Sequence, residues 1–210
     1  MLWFFKLQLN SKNAETRRRA VEQIGAARDP RSVGCLVETM RDSDGEVRRL
    51  AVTALGKLDS AERVEPLLVA LDDPDPQVQQ AAIIALKRVE DDRVIAALVP
   101  LIRHPDAGVR SRAAHALETL GWTPAKRDDE IWALVARGKF ARAAEFGSVA
   151  LPALESILDS GYWDLQVAVV EALGLIQDAR IEIPLLKALK SGDSAVCIVA
   201  IDGLSRIFLK

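Results

Sequence analysis

The chain has 210 residues, half of them hydrophobic but only 5% aromatic, and carries 28 basic against 30 acidic side chains. A formal charge of −2 and a pI near 5.8 exclude a bulk electrostatic pull toward nucleic acid or anionic membrane. The apolar material is mostly Ala, Leu, Val and Ile, which suits closely packed helices better than a β-sandwich enriched in aromatic and β-branched residues. Cys35 and Cys197 stand far apart, make no disulfide framework and point to a reducing, cytoplasmic setting.

The first nine residues, MLWFFKLQL, are apolar but interrupted by Lys6. They are too short for a convincing signal peptide or a bilayer span. They read as an end segment covering the open face of the first repeat, with weak membrane association as the sharper alternative.

From residue 10 onward the chain repeats itself. EVRRLAVTALGKL from Glu46, QVQQAAIIALKRV from Gln77 and GVRSRAAHALETL from Gly108 place Val47, Val78 and Val109 at a spacing of 31 residues. Thr16 holds that leading position one period earlier, and Leu165 and Val196 are again 31 apart. Only the step from Val109 to Leu165 breaks the period, by 25 extra residues. Three residues before each leading position stand Asn13, Asp44, Asp75, Asp106 and Asp193, with Tyr162 the exception. Asn and Asp are preferred helix N-caps, so this second column predicts where each helix starts. A preceding helix is predicted in each unit, as in RVEPLLVAL from Arg63 and RIEIPLLKAL from Arg180, with Pro66 and Pro184 near its start. Turn-forming segments such as Arg28–Arg31 and Asp72–Pro76 separate the helices, and strand signals are absent.

The extra residues lie in 122–147, which read as two short helices, Asp129–Arg137 and Phe140–Phe146, hinged at Gly138. Ile131, Leu134 and Val135 form an apolar stripe with Trp132 on its edge. The expected role is structural, bending the array or covering a seam. The alternative is a lid or partner site using Trp132, Phe140 and Trp163, since aromatic anchors dominate interface energetics. The expected layout is one domain over 1–210: an end segment at 1–9, repeats one to four at 10–121, the insertion at 122–147, and repeats five and six at 148–210.

Segments such as VRRLAVTALGKL followed by RVEPLLVAL resemble HEAT repeats, specifically the short HEAT-like type of phycobilisome bilin lyases, over roughly residues 10–210. The resemblance implies an all-α, right-handed α-α superhelix of about six helix pairs with an insertion after repeat four. It also implies that the helix bearing the VR pair lines a concave binding surface. On a helix turning about 100° per residue, Val47, Ala51, Ala54, Leu55 and Leu58 form the core stripe. Glu46, Arg49, Leu50, Thr53 and Lys57 form a second stripe, which the resemblance places in the concave groove.

The same columns read along the chain are basic over four repeats: Arg18, Arg19 and Glu22; Arg49, Leu50, Thr53 and Lys57; Gln80, Ile84 and Arg88; Ser111, Arg112, His115 and Thr119. They turn largely apolar with two acids in the last two: Val167, Ala168, Glu171 and Leu175; Ile198, Val199, Asp202 and Arg206. The candidate partner-binding residues are therefore Arg18, Arg19, Arg49, Lys57, Arg88, Arg112, His115, Ile198 and Val199. They suit a protein segment with an acidic and an apolar portion, because arginine binds carboxylates in bidentate fashion. The competing reading is an ordinary solvated helix face with local ion pairs. The resemblance further implies that Arg17, Arg48 and Arg110 bridge to aspartates of neighbouring turns, a ladder that Gln79, Gln166 and Cys197 interrupt. Arg31, Arg93 and Arg180, at the start of the other helices, read as structural in the same way.

Motifs that carry chemistry are missing. There are two histidines, no HExxH, no CxxC, no GxSxG and no Gly-rich phosphate loop. HEAT-repeat metal hydroxylases depend on His–Glu pairs, which this chain lacks. No catalytic residue, cofactor or metal is expected. The expected function is a non-catalytic protein–protein interaction scaffold or adaptor. The alternative is a bilin-lyase or chaperone-like subunit, for which Cys197 would draw attention although its apolar surroundings favour an inert thiol. A HEAT-like nucleic-acid-binding or DNA-repair protein is a more distant option, because its groove would need to be basic throughout. No nucleic acid and no membrane span are expected. Homodimerisation through the C-terminal repeat is possible, since residues 207–210 (IFLK) close it without a polar capping helix.

Overall fold

The computed structural model describes residues 2–159 and 162–208, which form helices and turns without a strand. In chain order the helices are α1 (Leu2–Leu9), α2 (Ala14–Ala27), α3 (Val33–Thr39), α4 (Gly45–Gly56), α5 (Val64–Val69), α6 (Pro76–Leu86) and α7 (Asp92–Leu98). They continue with α8 (Ala107–Thr119), α9 (Arg127–Ala136), α10 (Phe140–Ala144), α11 (Leu151–Leu158), α12 (Trp163–Leu173), α13 (Glu182–Ala188) and α14 (Ser194–Phe208). This is an α-α superhelical repeat fold. The capping reading of residues 207–210 falls partly on 209 and 210, outside the described residues.

The two sequence columns set the start of each long helix. Asn13 Oδ1 accepts from the Glu15 N–H at 2.8 Å, Asp44 from Val47 at 2.9 Å, Asp75 from Gln77 at 2.8 Å, Asp106 from Val109 at 2.8 Å, and Asp193 from Ala195 at 2.8 Å. Each bond satisfies one backbone donor that the first helical turn leaves unpaired. Tyr162, the exception in the column, offers α12 no side-chain cap. A parallel device opens the shorter helices: Asp29, Ser60, Asp91 and Asp178 each accept the backbone N–H two residues on. Arg31, Arg93 and Arg180 fork back onto those same aspartates, and Arg93 also reaches Glu65, 28 residues earlier, at 3.1 Å. Arg180 also touches Ser148 Oγ.

The chain divides into two compact units, residues 1–101 with 112–122 and residues 102–111 with 123–210. In the first, α1 packs on α2, and α2, α4 and α6 pack side by side over Val21, Val47, Val52, Leu55, Leu67, Ile83 and Leu86, all buried. The predicted stripe of α4 is buried throughout, from Val47 to Leu58. Glycines bring the helices together: a Cβ on Gly25 would lie 2.9 Å from the Cβ of Ala54, and one on Gly56 would lie 2.6 Å from the Cβ of Ala85.

In the second unit the insertion joins the core of the last two repeats. Ile131, Leu134, Val135 and Phe140 share one buried cluster with Leu154, Val170, Leu173, Leu185 and Val196. Its helices run from Arg127 and from Phe140, and the Gly138 between them has a φ of 70°, the left-handed conformation that glycine supplies just past a helix end. Arg103 fastens α9 through Asp128 (2.7 Å) and Asp129 (2.6 Å) and lies over the Trp132 ring. Trp132 is thus packed, and of the three aromatics considered for a lid only Trp163 is exposed.

A ladder links successive turns. Arg17 donates Nε and Nη2 to Asp42 at 2.6 and 2.7 Å, and Nη1 to the Ser11 carbonyl at 2.9 Å. One period later Arg48 donates to both Asp73 oxygens at 2.9 Å and to the Asp42 carbonyl at 3.0 Å. Each Arg thus ties its own turn to the next. Arg110 departs from this expectation. It is buried and donates to the carbonyls of His104 and Pro105, and burial holds its guanidinium below the ordinary arginine range. The reason is the insertion: 25 residues beyond Arg110 stands Val135 in α9, not a turn aspartate. Gln166 continues the ladder in neutral form, donating to the Leu158 carbonyl at 2.7 Å and accepting from Ser191 Oγ at 3.3 Å.

Candidate partner-binding site

In the first unit, the face of α4 and α6 opposite the core borders a depression of about 700 Å³. Arg49 and Thr53 of α4 and Lys57 at its end, Ala81 and Ile84 of α6 with Lys87 and Arg88 after it, and Arg63 and Arg112 make up the rim. Six cations line the depression (Arg49, Lys57, Arg63, Lys87, Arg88 and Arg112), and no carboxylate does. The structure therefore brings together four of the predicted residues: Arg49, Lys57, Arg88 and Arg112.

The cations are not equally available. Arg49 is forked onto Glu46 at 2.7 and 2.6 Å, and that guanidinium holds the Glu46 carboxyl below the usual range. Arg63 donates to the carbonyl of Gly56 at 2.6 Å, at the end of α4. Lys57, Lys87 and Arg88 line the depression and form no ion pair within 4.0 Å among the described residues, although Lys87 and Arg88 also border a neighbouring hollow that holds Glu90, Asp91 and Asp92.

Three other predicted residues stand apart from this depression. Arg18 is forked onto the capping Asp44 at 3.2 and 2.7 Å and holds that carboxyl below its ordinary value. Arg19 pairs with Glu15 at 3.1 Å, and His115 is exposed on α8 without lining the cavity. Helical periodicity gives the direction in which Arg18 points, but not the partner that occupies it. Conversely, Arg63 and Lys87 were not among the predicted residues. Lys87 follows the last core residue of α6, and Arg63 belongs to the preceding helical segment, so neither falls on the face read from the periodicity. Gln80, expected on the open face, is buried.

In the second unit, α12 and α14 border a separate depression of about 640 Å³. Ile198 and Val199 line it with Ala168, Leu175, Glu171 and Asp202, and Gly174 and Gly203 are part of its wall. Asp202 is paired with Arg206 at 2.6 Å, and Leu175 and Ile198 are both exposed. The change from basic to apolar read from the columns is thus a difference between two cavities, one in each unit.

The two cysteines sit in different surroundings. Burial pushes the Cys35 thiol up, and Cys197 Sγ lies 3.4 Å from the Ser191 carbonyl and 3.5 Å from that of Leu189. Among the described residues no three His, Cys, Asp or Glu side chains are grouped to hold a metal ion, and no helix is long and apolar enough to cross a membrane.

A stack of helix pairs with open cavities along its faces is a repeat architecture of the kind that presents binding surfaces. A family model of HEAT repeats matches residues 3–74 and 64–137. The chain belongs to the HEAT-repeat family. Among solved structures it is similar to human deoxyhypusine hydroxylase in complex with glycerol, at 16% identity and a TM-score of 0.51, covering all of this chain and 96% of that one. An engineered protein is 26% identical with a TM-score of 0.45, over 98% of this chain and 96% of that one. The complex of CpcE and CpcF of phycocyanin lyase from Nostoc sp. PCC7120 is 23% identical with a TM-score of 0.46, over 99% of this chain and 77% of that one. A search of curated proteins finds no match.

Proposed function

We propose that this protein is a non-catalytic interaction scaffold, a single HEAT-like domain that holds a partner segment against the open face of its longer helices. One observation carries this reading: six cations and no carboxylate line the depression of the first unit, in a chain whose overall charge is −2. A neutral chain that concentrates one sign in one concavity favours an oppositely charged ligand there. An acidic stretch of the partner fits that site, and an apolar stretch fits the cavity bounded by Leu175, Ile198 and Val199. The test is affinity capture followed by mass spectrometry with wild type and the Lys57→Glu/Arg88→Glu variant. Both positions lie outside the core, so the fold should persist by circular dichroism while partners recovered by wild type are lost. Recovery of the same partners by both proteins would overturn the reading.

Two narrower readings have less support. A bilin-lyase-like subunit rests on the repeat type alone, and a flat visible-absorption titration with a bilin would remove it. Self-association through the last repeat has one supporting feature. The column of Val21, Val52, Ile83, Ala114 and Val170 is buried, whereas its last member, Ile201, is 55% exposed. A monomer at high concentration in sedimentation would count against it.

A further inference from the structure

Ile84 is out of place. Six residues after the leading position, the repeats carry Glu22, Thr53, Ile84, His115, Glu171 and Asp202. The fold leaves this column facing solvent, and the chain fills it with a polar or charged side chain everywhere except in repeat three. There Ile84 is 52% exposed, and it lines the cationic depression together with Ala81, Ala85 and Val89. Helix propensity does not explain the choice, since a β-branched residue is no better a helix former than most of the polar ones in the column. Core packing does not explain it either, because the neighbouring Ile83 is buried and Ile84 is not.

A cavity built only to hold carboxylates would gain nothing from an apolar patch among its charges. Small apolar surface ringed by Lys57, Lys87 and Arg88 instead matches a ligand that is anionic at its edges and apolar at its centre. A nucleic-acid backbone is a poorer match. It asks for cations spread along a stripe, and its bases stack on aromatic side chains, none of which line this cavity.

We propose that the depression of the first unit recognises a peptide in which a large apolar side chain is flanked by carboxylates, the apolar group seating on Ile84. This rests on the scaffold reading and specifies its occupant. Covering the exposed half of an isoleucine and the matching ligand surface is worth about tenfold in affinity.

The experiment uses the full chain and fluorescence anisotropy with three labelled probes. These are a twelve-residue glutamate-rich peptide containing two leucines, the same peptide with serine for leucine, and a twelve-residue oligothymidylate. The variants are Ile84→Thr, which installs the β-branched polar residue that repeat two carries as Thr53, and Arg88→Glu. In wild type the leucine peptide should bind at least tenfold tighter than the serine peptide. Ile84→Thr should bring the two within threefold, and Arg88→Glu should weaken both. Equal binding of the two peptides to wild type, or a leucine advantage that survives Ile84→Thr, overturns the Ile84 assignment. In that case dependence on Arg88 leaves the scaffold reading standing. Absence of binding by either peptide overturns the assignment as well, and if Lys57→Glu/Arg88→Glu also leaves partner capture unchanged, the scaffold reading falls with it. Tighter binding of the oligothymidylate than of either peptide, lost in Arg88→Glu, would replace the peptide by a nucleic acid.

Discussion

Replacing Arg48 by Ala should destabilise the first unit far more than replacing its neighbour Arg49. The two arginines are adjacent in sequence and each is forked onto one carboxylate. Their surroundings differ. The Arg48 and Asp73 side chains are 15% and 11% exposed, and the pair joins turns 25 residues apart. The Arg49 and Glu46 side chains are 34% and 40% exposed, and the pair lies within one turn of α4. Loss of Arg48 removes two charge-assisted bonds to Asp73 and one bond to the Asp42 carbonyl, and leaves Asp73 largely desolvated beside the backbone N–H of Asp75. Removing one partner of a fully buried pair costs about 3–5 kcal/mol, and an exposed pair is worth about 1 kcal/mol or less. With a small residual exposure, Arg48→Ala should cost roughly 2–3 kcal/mol and Arg49→Ala under about 1 kcal/mol. Arg48→Lys keeps the charge but not the fork and should fall between them. Urea unfolding followed by circular dichroism reads the midpoints directly, and the Arg48→Ala/Asp73→Ala double variant isolates the coupling. A midpoint for Arg48→Ala no lower than that for Arg49→Ala would refute the ladder as a stabilising element.

Other perturbations separate packing, backbone and charge. Gly56→Ala should cost about 1–3 kcal/mol because its Cβ would lie 2.6 Å from that of Ala85, whereas Gly34→Ala, with nothing within 4 Å, should stabilise by roughly 0.5–1 kcal/mol. Arg28 ends α2 at a φ of 49°, so Arg28→Gly should raise the thermal midpoint, by up to about 1 kcal/mol in stability. Stability should be flat at neutral pH and fall below about pH 4. Asp42, Asp44 and Glu46 sit below their ordinary carboxyl values, so their contribution is present above the unfolded-state pKa and is lost as pH drops through the folded-state one. For Asp42, burial pulls upward, and the Arg17 fork together with the Asp44 backbone N–H more than offsets it, so Arg17→Gln should move acid unfolding to higher pH. An acid midpoint unchanged in Arg17→Gln would count against that pair.

Much of the fold was legible because its rules are local. A 31-residue spacing of valines gave the register, and the Asn and Asp column gave the helix starts, since capping needs only a side chain two or three residues from a free N–H. Tyr162 is the break in that column, and α12, which it opens, lacks the side-chain cap that the Asn and Asp of the column supply elsewhere. What sequence could not supply was the identity of long-range partners. Arg17, Arg48 and Arg110 look alike in the chain, yet Arg110 loses its acid partner because the insertion displaces the next turn. Arg18 and Arg49 both point outward by periodicity, but one is consumed by the capping Asp44 and the other lines a cavity while paired to Glu46. Ile84 was read as one groove residue among several. Its oddity appears only once exposure along its whole column is known.

The central claim is that the cationic depression of the first unit captures a partner. It is tested most directly by isothermal titration of a partner, recovered by capture and purified, against wild type and Lys57→Glu/Arg88→Glu at matched ionic strength. The account predicts at least a hundredfold loss of affinity in the variant, with an unchanged circular dichroism spectrum and thermal midpoint. The same dissociation constant for both proteins would contradict it.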